Sequence, residues 1–126
     1  MEKSIYAWLV IGLFILSVAL ESLALVGASL KPYYGNHTVL NNIAVFFLIL
    51  DILISLGYLY KLFSFKNDVL LWTDIAWGYW VFRGIFSIIA DLISSKGTAT
   101  SNTIEIIIVL IIWMLFRKHL RKLIAI

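Results

Sequence analysis

The chain has no cysteine, one proline and two histidines among its 126 residues. The absence of cysteine excludes disulfides, thiolate metal sites, iron–sulfur ligation by this chain and a cysteine nucleophile. His37 and His119 fall in predicted loop or tail positions. The sequence also shows no glycine-rich phosphate loop, metal-ligand motif, nucleophile elbow or His/Asp catalytic set. We therefore expect no metal, no cofactor and no catalysis by this chain on its own.

Charged residues are scarce, at 13% of the chain, whereas hydrophobic residues make up 63% and the mean hydropathy is +1.02. A soluble domain of this size could not bury so much apolar surface, because small globules bury only part of theirs. A lipid bilayer is the solvent that suits this composition. The net charge of +3 comes largely from the C-terminal tail, so it does not indicate a nucleic-acid partner.

Long hydrophobic stretches predict a single all-α domain over residues 1–126, a four-helix transmembrane bundle. The first stretch can cross about 30 Å of hydrocarbon at about 1.5 Å per residue, and it is too long for a cleavable signal peptide. The apolar core of the last, Ile104–Phe116, is short, so flanking residues must complete that crossing. The expected spans are about 5–30, 39–62, 69–93 and 103–122.

The basic residues are distributed unevenly between the two sides of such a four-span bundle. One side would hold only Lys31 and Lys96. The other side, which carries both termini, would hold Lys3, Lys61, Lys66, Arg117, Lys118, Arg121 and Lys122. Because cytoplasmic loops carry the excess of Lys and Arg, we predict a multi-pass protein of the plasma membrane with both termini in the cytoplasm. So large a bias also disfavours an antiparallel dimer.

Three charges interrupt the apolar runs of three different predicted helices, namely Glu21, Asp51 and Arg83. An ionised group at the bilayer centre costs about 2.5–3.5 kcal/mol on insertion scales, so these groups should find one another, an ion or a partner. Each charge shares a helix face with small and polar residues, which collect where membrane helices pack closely. We predict an intramembrane polar centre made of Ser17, Glu21, Asp51, Ser55, Arg83 and Ser87.

This trio allows two interpretations. In the first, one carboxylate pairs with Arg83 while the other binds a proton or a cation during transport, because the three formal charges leave one negative charge over. In the second, a buried ion pair fixes the register of the helices, and the third group is protonated or paired with another subunit.

The fourth predicted helix differs from the others, because Ile104–Phe116 has no Gly, Ala, Ser or Thr. Without a close-packing stripe, it should be peripheral and face lipid or a large partner. Basic residues follow it, and we expect them to contact anionic lipid head groups at about 1 kcal/mol each. These residues are Arg117, Lys118, Arg121 and Lys122.

Other polar residues have local interpretations. Glu105 follows Asn102 at a spacing close to a capping box, which places the start of the fourth helix near Thr103. Asp91, near the outer end of the third helix, should be exposed to water because a carboxylate there opposes the helix dipole. Trp80 lies beside Arg83 on one helix face, a spacing that favours a cation–π contact.

The run Leu48–Lys61, together with an acidic residue on the first helix and a basic last helix, resembles a voltage-sensor domain. Such a domain needs Arg or Lys at every third position within its fourth span, since those charges move through the field. Ile104–Phe116 contains none, so we exclude voltage sensing.

These features favour a small non-catalytic subunit that packs in a larger membrane complex (respiratory, oxygenase or similar) and stabilises it. The alternative is a parallel homo-oligomeric transporter or channel in which Asp51 or Glu21 couples a proton or cation. The expected partners are therefore membrane lipid together with other membrane subunits or further copies of the chain.

Overall fold

The computed structural model describes the backbone of residues 5–31, 34–64, 68–94 and 99–124. This part of the chain is all-helical, which confirms the predicted class, and it contains four helices that enclose the expected spans. The helices are α1 (Ile5–Leu30), α2 (Thr38–Ser64), α3 (Val69–Ser94) and α4 (Ala99–Ile124).

Among the described residues, three helices, α1, α2 and α3, are long and apolar enough to cross a membrane. The fourth helix matches them in length, with 26 residues. It differs in charge, because Glu105 lies near its start and four basic residues crowd its last two turns. Charge rather than length therefore sets α4 apart.

The helices pack in chain order, with α1 against α2, α2 against α3, and α3 extensively against α4. The first and last helices approach each other where the rings of Tyr6 and His119 meet, at a centroid distance of 5.0 Å. Although the Ile104–Phe116 stretch of α4 lacks small residues, α3 supplies them. Gly84 lies against Ile106, and Gly78 lies against Trp113.

The α1–α2 turn is closed by a side chain from α2. The Oδ1 atom of Asn41 accepts a hydrogen bond from the Tyr34 backbone N–H at 2.8 Å, and its Nδ2 donates to the Gly35 carbonyl at 3.0 Å. Gly35 has a φ of 59°, a left-handed conformation that glycine adopts without steric cost. Pro32 lies outside the described residues.

The α2–α3 turn is held by an ion pair between Lys61 Nζ and Asp68 Oδ2, 2.8 Å apart. The hydrogen bond from Lys61 holds the pKa of Asp68 below its ordinary value. Asp68 directly precedes α3, and its carbonyl accepts the Trp72 N–H at 3.1 Å. This turn therefore links the two helices that carry Asp51 and Arg83.

An aromatic core, consisting of Phe14, Tyr58 and Trp77, fills one half of the bundle. Phe14 packs edge-on against both other rings, at centroid distances of 4.9 and 5.4 Å. Trp77 Nε1 donates to the Tyr58 hydroxyl at 3.3 Å, and Thr73 Oγ1 lies 2.9 Å from the same oxygen. Tyr58, Thr73 and Trp77 are fully buried, so this half of the bundle is densely packed.

The close approach at Gly84 gives a test of the α3–α4 interface. A Cβ at this position would lie 2.6 Å from Ile106 Cγ1, so Gly84→Ala should force the helices apart and destabilise the protein by about 1–3 kcal/mol. Thermal unfolding of the protein in detergent micelles measures the change.

Gly12→Ala is the matched control, because a Cβ there meets no atom within 4 Å. The control should unfold at the wild-type temperature or slightly above it, since alanine favours helix. Equal midpoints for Gly84→Ala and Gly12→Ala would contradict this packing of α3 on α4.

Candidate functional site

The structure brings together the three charged residues that the sequence places on separate helices. Arg83 Nη1, from α3, lies 2.7 Å from Asp51 Oδ2 of α2 and 3.1 Å from Glu21 Oε1 of α1. The exposed fractions of the side chains are 9% for Asp51, 14% for Glu21 and 28% for Arg83. One guanidinium therefore links three helices in a largely desolvated setting.

The predicted serines surround this trio to different degrees. Ser17, one turn before Glu21, donates its hydroxyl to Glu21 Oε1 at 3.1 Å. Ser55 is buried one turn beyond Asp51 on α2. Ser87 follows Arg83 by one turn and lines a cavity between the helices. The six predicted polar residues thus share one region, and Ser17 joins the charged contact directly.

The formal charges of the trio, two carboxylates and one guanidinium, do not balance. Both carboxylates use the same guanidinium nitrogen, and Glu21 Oε2 is buried without a hydrogen-bond partner among the described residues. Burying a carboxylate oxygen without a donor is costly. That oxygen is the atom at which the trio can accept a proton, a water molecule or another donor.

Trp80 has partners other than the predicted Arg83. Its indole stacks on Trp77 at a centroid distance of 5.4 Å, and its Nε1 donates to Glu105 Oε1 at 2.9 Å. The capping interpretation of Glu105 is wrong, because α4 begins at Ala99 and not near Thr103. Glu105 lies in the second turn of α4, where it binds α3 instead of the helix end.

Asp91 is buried, with 2% exposure, so the expectation of a water-exposed carboxylate is wrong. The physical reason is a hydrogen bond from Asn102 of α4, whose Nδ2 lies 2.6 Å from Asp91 Oδ2. The early start of α4 places Asn102 on the helix opposite Asp91. Sequence spacing within either helix carries no signal for this pair.

A second polar cluster, which the sequence did not predict, joins α3 to the C-terminal part of α4. Arg117 Nε lies 2.9 Å from Asp74 Oδ1 and 3.2 Å from Asp74 Oδ2. Trp113 Nε1 donates to Asp74 Oδ1 at 3.1 Å. Arg117 is thus engaged within the protein, whereas the other residues predicted to meet head groups are exposed. These are Lys118, Arg121 and Lys122.

An interhelical cavity of about 350 Å³ extends from Arg83 toward Asp91 and Asn102. Ala24 of α1 and Glu105 of α4 line it and are themselves exposed, so it opens between these two helices. The aromatic core lies on the opposite side of the trio, about two helical turns away along each helix. The trio therefore separates a packed half of the bundle from a hollow half.

In the part of the chain that the structure describes, no group of three or more His, Cys, Asp or Glu side chains is arranged to hold a metal ion. Compared with protein-family models, curated proteins and solved structures, the chain matches none.

The shared guanidinium gives a test of the trio. Arg83→Leu leaves two buried carboxylates without their cation, so it should lower the free energy of unfolding by about 3–5 kcal/mol. Most of the protein should then fail to fold. Arg83→Leu combined with Asp51→Leu removes one of the two stranded charges and should restore much of the folded yield. Size-exclusion chromatography of the solubilised variants measures it.

Glu21→Gln serves as the control, because it leaves a neutral Arg83–Asp51 pair and should fold far better than Arg83→Leu. Wild-type yield for the Arg83→Leu single variant would show that the contact does not hold the bundle together.

Proposed function

We propose that this chain is a small non-catalytic subunit that packs in a larger membrane protein complex, respiratory, oxygenase or similar, and stabilises it. The observation that carries the proposal is the Arg83 bridge to both Glu21 and Asp51. Because the guanidinium is shared inside the chain, the trio ties α1, α2 and α3 into a preformed unit. A rigid unit of this kind suits a role in assembly.

The dense half of the bundle supports this proposal over a pore through one copy of the chain. Tyr58 and Trp77 are fully buried between the trio and the α2–α3 turn, and Phe14 packs against both. An ion that entered the cavity would meet this aromatic core beyond Arg83. Transport through a single copy would require that packing to open.

The outward face of α4 is the surface that we assign to a partner subunit. Since α4 packs along α3, its other side is uncovered and carries large apolar side chains. Between Ile106 and Leu115 the exposed side chains of α4 are all apolar, so this face suits both lipid and a partner's helix. The exposed residues include Ile104, Ile107, Ile108, Ile111, Met114 and Leu115.

We further propose that α4 is a fourth membrane span and that both termini lie in the cytoplasm of a plasma-membrane protein. The 26-residue length of α4 supports the fourth crossing, and the excess of basic residues on one side supports the orientation. Pairing with Asp74 lowers the cost of placing Arg117 near the membrane boundary. Lys118, Arg121 and Lys122 would then meet anionic head groups.

The absence of native cysteine makes this topology directly testable with single cysteines. In intact cells, a membrane-impermeant maleimide should label Asn36→Cys and leave Asp68→Cys and Lys122→Cys unlabelled. Permeabilised cells provide the control for reactivity, since all three variants should then react. Labelling of Lys122→Cys from outside would contradict a fourth crossing.

A parallel homo-oligomeric transporter or channel is the second candidate, with Glu21 or Asp51 as the coupling carboxylate. Two observations favour it specifically. The interhelical cavity reaches Arg83 from one side, and Glu21 Oε2 is buried without a partner among the described residues. Together they would give a proton or small cation access to the trio from one side.

Native mass distinguishes the two functions. The chain, extracted gently from its own membrane with a C-terminal tag, should migrate in a complex far larger than its 14.4 kDa and bring defined other subunits with it. Native electrophoresis followed by mass spectrometry identifies the members. A discrete homo-oligomer without other subunits would contradict the subunit proposal and favour the transporter.

Deleting the gene gives the second readout. If the chain stabilises a complex, the abundance of the co-purified subunits should fall in its absence. Unchanged abundance of those subunits would count against a stabilising role.

A further inference from the structure

The interhelical cavity has the size and lining of a ligand site. Its volume of about 350 Å³ falls within the range of small-molecule pockets, about 300–1,000 Å³. All four helices contribute to its lining, from Ala24 of α1 to Glu105 of α4. The packing of all four helices therefore forms the cavity, which is not a depression on the surface of a single helix.

The charges around the cavity are unbalanced in one direction. Arg83 lies in its wall, but Asp51 and Glu21 lie 2.7 and 3.1 Å from its guanidinium, so its positive charge is already offset. A further carboxylate, that of Glu105, lines the cavity and is exposed, whereas Asp91 lines it as a buried group that is held by Asn102. An anion entering this space would meet like charge, whereas a cation would offset it.

The walls of the cavity are aromatic as well as acidic. Phe47 and Phe86 line it with their rings perpendicular, at a centroid distance of 5.0 Å, and Trp80 lines it beside Glu105, to which its Nε1 donates. Aromatic faces attract cations, most strongly where water is excluded. Rings and carboxylates together favour a cation that also carries apolar surface over a hydrated metal ion.

The entrance constrains the ligand further. The cavity opens between Ala24 and Glu105, and both lie on helices flanked by exposed apolar side chains such as Leu23 and Ile104. A ligand that enters by this route passes along a surface suited to lipid. We propose that the interhelical cavity binds a hydrophobic organic cation, a substituted ammonium with an apolar group, through Glu105 and the ring of Trp80.

The test compares a cation with its neutral isostere. The full chain in lipid nanodiscs is titrated with benzyltrimethylammonium and, separately, with neopentylbenzene, which has the same shape without the charge. Calorimetry should show saturable binding of the cation, at least about tenfold tighter than that of the neutral compound. Equal affinity for the two, or no saturable binding of the cation, would overturn the proposal.

Two variants locate the site. Glu105→Gln removes a charge and keeps an oxygen that can accept the Trp80 N–H, so it should fold and weaken cation binding about tenfold. Ala24→Trp fills the exposed entrance and should reduce binding at least as much. Unchanged affinity in both variants would place the cation elsewhere and overturn the assignment.

Asp68→Asn is the matched control for loss of one negative charge, because Asp68 lies on the α2–α3 turn and does not line the cavity. It should bind the cation with wild-type affinity. A loss as large as that of Glu105→Gln would show that binding follows the overall charge of the protein, which would contradict the proposed site.

Discussion

The arrangement of this bundle depends on one guanidinium that two carboxylates share. Arg83 lies within hydrogen-bonding distance of Asp51 and Glu21, and each of the three residues belongs to a different helix. Desolvating any one of these charges alone would be costly, so the helices are constrained to depths at which all three meet. The apolar residues above and below the trio suit lipid at many depths, and the trio selects one of these depths for α1, α2 and α3.

This constraint explains why the two halves of the bundle differ. On one side of the trio, Phe14, Tyr58 and Trp77 fill the space among α1, α2 and α3. On the other side, alanines such as Ala24 and Ala44 leave the space open, which produces the interhelical cavity. The fourth helix is attached to α3 by a separate set of bonds, of which Trp80 to Glu105 is the nearest to the trio. Two residues of α3 therefore connect these features. Arg83 belongs to the ionic centre and lines the cavity, and Trp80 lines the cavity and bonds to α4.

The sequence predicted the helices and the central contact because both depend on patterns within a single helix. Long apolar runs predict helices in a bilayer, and a charge on a small-residue stripe marks the face that packs inward. The contacts of α4 could not be predicted in this way, since they depend on how α4 is rotated against α3. Polar residues before Thr103 indicated a loop, yet the helix includes them, and Asn102 reaches Asp91 as a result. The pairing of Arg117 with Asp74 was missed for the same reason.

The most direct test of the central claim is a distance measurement in a bilayer. Solid-state nuclear magnetic resonance on protein with ¹⁵N in the Arg guanidinium groups and ¹³C in the Glu side-chain carboxyl groups reports their dipolar coupling. The structure places Arg83 Nη1 3.1 Å from Glu21 Oε1, so one Glu carboxyl should show strong coupling, and Glu21→Gln should remove that signal. Absence of any coupled Glu signal in the wild-type protein would show that Arg83 does not join α1 to α3, and a bundle organised around one shared guanidinium would be ruled out.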